Sequence, residues 1–170
     1  MTVAEFWKRQ QFSYLITYSF QRGPELLALK KQLAQELETA RYMRRSAIWQ
    51  QLKSLESHSI TLTNERRAIN PTATVGARLA ADSAELQQLA YALQRVSQQE
   101  CYAMCPPTYR DAFAFYSEAD ELVSVLNICF ECRFMQTDQK EHVEADMATY
   151  NLLRAFLIQL GHPIEDDGWA

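Results

Sequence analysis

Three observations predict an α+β domain in which a small antiparallel sheet with a central hairpin packs against several helices. Apolar residues recur at intervals of three or four over residues 26–55, 86–96 and 147–160, the spacing of one helix face. Two β-rich runs, residues 112–116 and 122–130, flank a short polar connection. Gly23-Pro24, Asn70-Pro71, Pro106-Pro107 and Gly161 punctuate the chain between these segments. At 170 residues and 48% hydrophobic content, one domain can bury a core without help from a metal or a disulfide. We therefore expect a single α+β domain over residues 1–170, with an early helical region at 24–56 and a β-hairpin around 111–130.

Pro24 suits the first turn of a helix, where its missing N–H removes a donor that would be unpaired anyway. Leu26, Leu29, Leu33, Leu37, Ala40, Met43 or Arg44, Ile48, Leu52 and Leu55 then form one apolar stripe, which we read as core-facing. The repeat is not a strict heptad, so two packed helices divided near Arg44-Arg45-Ser46 account for it better than a coiled coil, with Trp49 packing on the stripe. Residues 58–63 alternate polar and apolar groups and read as a short strand; Thr74, Val75 and Leu79 suggest another extended segment. Asp82 is placed to cap the next helix and Glu85 to return the cap, with Leu86, Leu89, Ala90, Leu93 and Val96 on the buried side.

Residues 112–116 and 122–130 form the most strongly marked β element, closed by residues 117–121. The second strand is apolar on both faces over part of its length, which predicts a central strand covered by helices. A short strand at residues 142–144 and a final helix capped by Asp146 and ended by Gly161 complete the reading.

Seventeen basic and 21 acidic residues give a formal net charge of −4, which supplies no global attraction to nucleic acid or to an anionic membrane. Glu5, Lys8, Arg9 and Gln10-Gln11 interrupt the opening apolar residues, and no run reaches membrane-spanning length, so the cytoplasm is the expected location. No phosphate-cradling glycine loop and no HExxH pattern is present.

Cys101 and Cys105, with Cys129 and Cys132, are the residues whose spacing points most directly to chemistry. Together they have the ligand count of a structural zinc site, although Cys129 and Cys132 on a regular strand would point to opposite faces unless the chain turns there. The CxxC spacing of Cys129 and Cys132 also permits dithiol redox chemistry, with Glu131 between them disfavouring a thiolate. Packing into an aromatic-rich core beside Phe130 and Phe134 is the simplest fate for these thiols.

Arg41, Arg44 and Arg45 form a basic face on the early helices, and Tyr109 with Arg110 forms a candidate recognition edge. In an extended segment Arg110 and Asp111 point to opposite faces, so Arg110 can meet an acidic partner while Asp111 pairs elsewhere. Together these features favour a nonenzymatic protein-binding or structural module with an unidentified protein partner, and permit a homodimer through the early helices. A thiol redox protein and a zinc-stabilised interaction module are the alternatives.

Overall fold

A computed structural model describes residues 1–57, 60–97, 99 and 104–164. The described residues form helices α1 (Val3–Arg9), α2 (Gly23–Thr39), α3 (Tyr42–Ser54), α4 (Ala84–Leu93) and α5 (Met147–Gln159). The strands are β1 (Tyr14–Ser19), β2 (Thr74–Ala80), β3 (Asp111–Tyr116), β4 (Leu122–Cys129), β5 (Phe134–Thr137) and β6 (His142–Val143). They make one six-stranded antiparallel sheet in the order β2-β1-β3-β4-β5-β6, so the expected hairpin β3–β4 lies at its centre.

Alternation along β3 and β4 divides the core into two layers. Phe113 and Phe115 of β3, with Leu126 and Ile128 of β4, point to the face covered by α1, α4 and α5. There they meet Phe6, Leu89, Leu93, Leu153, Phe156 and Leu157, all at most 2% exposed. The intervening Ala112, Ala114, Val125 and Cys129 point to the opposite face, where they pack with Tyr18, Phe20, Leu62 and Tyr109. No helical residue belongs to this second cluster among the described residues. The sequence pattern predicted helices over β4; instead, part of its second face is covered by the segment around Leu62. Asn127 holds that segment, its Oδ1 accepting from Leu62 N at 2.8 Å and its amide donating to the Gln136 carbonyl. A polar side chain at the middle of a buried strand is thus satisfied by pinning a loop.

Other boundaries differ from expectation for local reasons. Ser83, one residue after Asp82, caps α4 by accepting from Leu86 N, and the helix stops at Leu93, leaving Val96 83% exposed. Of the strand expected at 58–63, residues 58 and 59 lie outside the described residues, and Thr63 keeps only an isolated bridge to Ile69. The early helices break at Ala40–Arg41 rather than near Arg44–Ser46. Each buries a single side chain, Leu33 in α2 and Ile48 in α3. The apolar stripe is the sheltered side of the two helices, with Leu33 and Ile48 buried and Leu26, Leu29, Leu37, Ala40, Leu52 and Leu55 half-buried, but none of these residues belongs to either sheet cluster. Leu27, Tyr42, Met43 and Trp49 are 69%, 86%, 82% and 56% exposed, so Trp49 does not pack on the stripe as expected. These helices pack on one another as a two-helix arm.

The end of α5 matters most for the site. Asp146 caps its start by accepting from Thr149 N. At its end Gly161, at φ +85°, lets Gly161 N bond the Ile158 carbonyl and His162 N bond the Leu157 carbonyl. This left-handed glycine cap reverses the chain after α5 and returns His162 to the sheet.

Candidate functional site

Thr17, Ser19 and Asp111 occupy positions on β1 and β3 that share the helix-covered face with Leu15 and Phe113, and they make one end of that face polar. Ser19 and Asp111 are register partners. Asp111 Oδ1 accepts from Arg22 Nη2, while Arg22 Nε donates to Ser19 Oγ at 2.8 Å. The same carboxylate oxygen meets His162 Nδ1 at 2.7 Å, and His162 Nε2 lies 2.9 Å from Thr17 Oγ1. The side chains of His162 and Asp111 are 0% and 2% exposed.

The hydrogen-bond directions are consistent around this network. Thr17 Oγ1 accepts from Ala77 N at 2.9 Å, so its own hydroxyl proton can go to His162 Nε2, and Nδ1–H then donates to Asp111. A β-bulge makes this possible: Ile16 pairs with Arg78 and Tyr18 with Val75, so Gly76 and Ala77 together oppose Thr17. Gly76 also leaves room for the imidazole. A Cβ there would sit 2.3 Å from His162 Nε2 and 2.7 Å from Thr17 Oγ1.

Asp111, His162 and Thr17 have the connectivity of an acid–base–nucleophile triad, but not the access one requires. Thr17 is 0% exposed and its hydroxyl is engaged on both sides, so no reacting atom can reach it. The arrangement is a buried polar lock. What opens to solvent beside it is a cleft of about 280 Å³, lined in part by Gln21, Arg22, Thr108, Arg110 and Asp111.

Cys105, Cys129 and Cys132 are not among the residues that line this cleft. A disulfide joins Cys105 to Cys132, with Cα atoms 5.9 Å apart, and Cys129 is a buried free thiol. The Cys129–Cys132 redox pairing suggested by spacing is therefore replaced by a longer-range bridge. The bend predicted as a requirement is present, since the chain turns at residues 130–133 and brings Cys132 N within 3.3 Å of Cys129 Sγ. Cys132 is taken by Cys105, and burial pushes the Cys129 thiol up, so a reactive thiolate is disfavoured. The suggested zinc quartet meets the same obstacle, because Cys105 and Cys132 are joined to one another; Cys101 lies outside the described residues. Among the described residues no group of three or more His, Cys, Asp or Glu side chains is placed to hold a metal ion. Closing a 27-residue separation contributes about 3.5 kcal/mol in the chain-entropy account.

Tyr109 is a correction to the proposed recognition edge: it is 1% exposed, with its hydroxyl donating to Gln136 Oε1. Burial raises its phenol above the ordinary tyrosine value. Arg110 does reach the surface, where it bonds Glu131 at 2.7 Å, while Asp111 turns inward, as alternation required. Arg41, Arg44 and Arg45 are exposed at the turn into α3, with Arg44 pairing to Glu36 of α2 at 3.0 Å. Thr17, Arg22 and Gly76 were not singled out by sequence reasoning, and His162 was read as a solvated or hydrogen-bonded histidine beside a turn. The available signal was local: Thr17 and Ser19 interrupt the face that Leu15 begins.

No family model matches this chain, and neither a curated protein nor a solved structure matches it. No described helix is long and apolar enough to cross a membrane.

Gly76→Ala should cost about 1–3 kcal/mol by overpacking, and His162→Ala about 2–3 kcal/mol by stranding buried polar partners. In denaturant unfolding the double variant should cost less than the sum by at least ~1 kcal/mol, because removing the imidazole makes room for the new methyl group. Simple additivity would contradict the contact. Peptide mapping after alkylation without reductant should recover Cys105 linked to Cys132, with Cys129 unmodified until denaturant is added. A Cys129–Cys132 linked peptide would contradict the arrangement.

Proposed function

We propose that this protein is a nonenzymatic binding module whose two-helix arm engages an acidic partner protein. The observation that carries the reading is the surface of α3. Thirteen residues long, it contains Arg44, Arg45 and Lys53 and no acidic residue, and Arg41 precedes it. Only Ile48 is buried in it. A solvated helix with one buried side chain has little intramolecular reason to carry Tyr42, Met43 and Trp49 on its exposed surface. Aromatic, methionine and arginine side chains together are the composition that interface centres favour.

Charge selects the kind of partner. The chain as a whole is at −4, whereas residues 41–54 carry four cations and no acid. An acidic surface with an apolar centre would complement the arm and gain from electrostatic steering. Net negative charge elsewhere argues against nucleic acid as the occupant. The buried lock supports the nonenzymatic half of the reading, since the one triad-like group in the described residues is closed to substrate. The cytoplasm remains the expected location within this reading, although the Cys105–Cys132 bridge is of a kind more usual in oxidising compartments.

A photoreactive residue placed at Trp49 in the full chain should crosslink one protein in extracts of the native cells, while the same group at exposed Glu85 on α4 should not. The purified crosslinked protein should then bind the wild type directly, and bind Arg41→Glu/Arg44→Glu/Arg45→Glu at least about tenfold more weakly, ~1.4 kcal/mol. Equal crosslinking from both positions, adducts only to a second copy of this chain, or binding indifferent to charge reversal would overturn the reading.

A further inference from the structure

The cleft beside the lock has a chemical asymmetry that neither the arm nor the disulfide explains. Its lining combines Gln21, Arg22 and Arg110 with Phe130, Pro163 and Ile164. Two donors on residues that line the cleft, Gln21 Nε2 and Arg110 Nε, are buried and have no acceptor among the described residues. Leaving such groups unpaired is costly, so two of them on residues beside one cleft favour an acceptor there, reached when the exposed Glu131 side chain moves aside. The backbone is committed to the arrangement: Gln21 holds φ +58°, and its main-chain N–H is fixed by Thr72 Oγ1 at 3.0 Å.

Charge narrows the ligand. Arg22 is matched by Asp111 and Arg110 by Glu131, so two cations and two carboxylates make the site formally neutral. A doubly charged anion would face both carboxylates. A monoanion fits if it replaces Glu131, whose side chain is 48% exposed and can turn into solvent, whereas the 2% exposed Asp111 cannot. A carboxylate matches a guanidinium by paired N–H···O bonds, and Phe130, Pro163 and Ile164 beside it favour a small hydrocarbon body behind the charge. A cleft of about 280 Å³ admits only a small molecule.

We propose that the cleft between Arg22 and Arg110 binds a small organic monocarboxylate with an apolar body, and that Glu131 occupies Arg110 as a stand-in carboxylate until the ligand displaces it. Glu131 lies within the turn between Cys129 and Cys132, beside the disulfide that anchors this turn to Cys105. The competing carboxylate is thus held near the guanidinium without being part of the fixed core.

The test titrates acetate, isovalerate and benzoate, each beside its neutral amide, into ¹⁵N-labelled protein. The readout is the Arg110 Nε–H resonance, assigned by its loss in Arg110→Gln. Saturable shifts are expected with isovalerate and benzoate, weaker ones with acetate, and none with the amides. Glu131→Gln, a change at a half-exposed side chain, should tighten binding about tenfold by removing the competitor. Arg110→Gln should abolish binding while its thermal transition stays within a few degrees of wild type. Absence of saturable binding of all three acids to both wild type and Glu131→Gln would overturn the proposal. Equal binding of acid and amide, or no gain in Glu131→Gln, would overturn it as well.

Discussion

A carboxylate buried at the end of the central hairpin is the constraint on which the rest of this structure depends. Taking Asp111 out of water costs several kcal/mol, on the order of the whole stability of a domain, unless charged and hydrogen-bonding partners surround it. Its partners come from distant parts of the chain: Arg22 is 89 residues away and His162 is 51. Satisfying one carboxylate therefore fixes where α2 begins and where the chain goes after α5. It also explains two smaller features that would otherwise look unrelated. The bulge in β2 gives Thr17 its donor from Ala77, and Gly76 leaves the volume that the imidazole fills.

The two faces of the sheet do different work. One is sealed by α1, α4 and α5 around Phe113, Phe115, Leu126 and Ile128, and supplies rigidity. The other is partly closed by a pinned loop and anchored at one end by the Cys105–Cys132 bridge. The cleft is lined by Asp111 of the lock and by Glu131 beside the bridge, so residues fixed by both contribute to it. The α2–α3 arm is the opposite case. With one buried side chain in each helix it adds little to the core and much to the exposed surface.

Much of the fold was legible because it depends on local pattern. The β3–β4 hairpin, β2, the strand at residue 142 and α5 with its Asp146 cap and Gly161 stop all announce themselves by alternation, helical periodicity or a terminus signal. β1 and β5 were missed. Tyr14–Ser19 carries Thr17 and Ser19 on a face that is apolar only at Leu15, and that pattern makes sense only once His162 and Asp111 are known to meet it. In the arm the stripe was legible but its cover was not: Leu26, Leu29, Leu33 and Leu37 are the sheltered side of α2, yet of these only Leu33 is fully buried and none joins the sheet clusters. For the cysteines, spacing suggested Cys129 with Cys132, whereas the fold brings Cys105 across 27 residues to the same turn. Long-range pairing of polar and sulfur groups is set by topology, which no local pattern encodes.

Asp111, His162 and Thr17 form one directed, solvent-excluded chain of hydrogen bonds. Long-range ¹⁵N–¹H correlation of the imidazole of His162 at neutral pH tests it most directly. The account predicts a single tautomer carrying its proton on Nδ1, with that proton protected from exchange by Asp111. A rapidly exchanging imidazole, or a proton resident on Nε2, would contradict it.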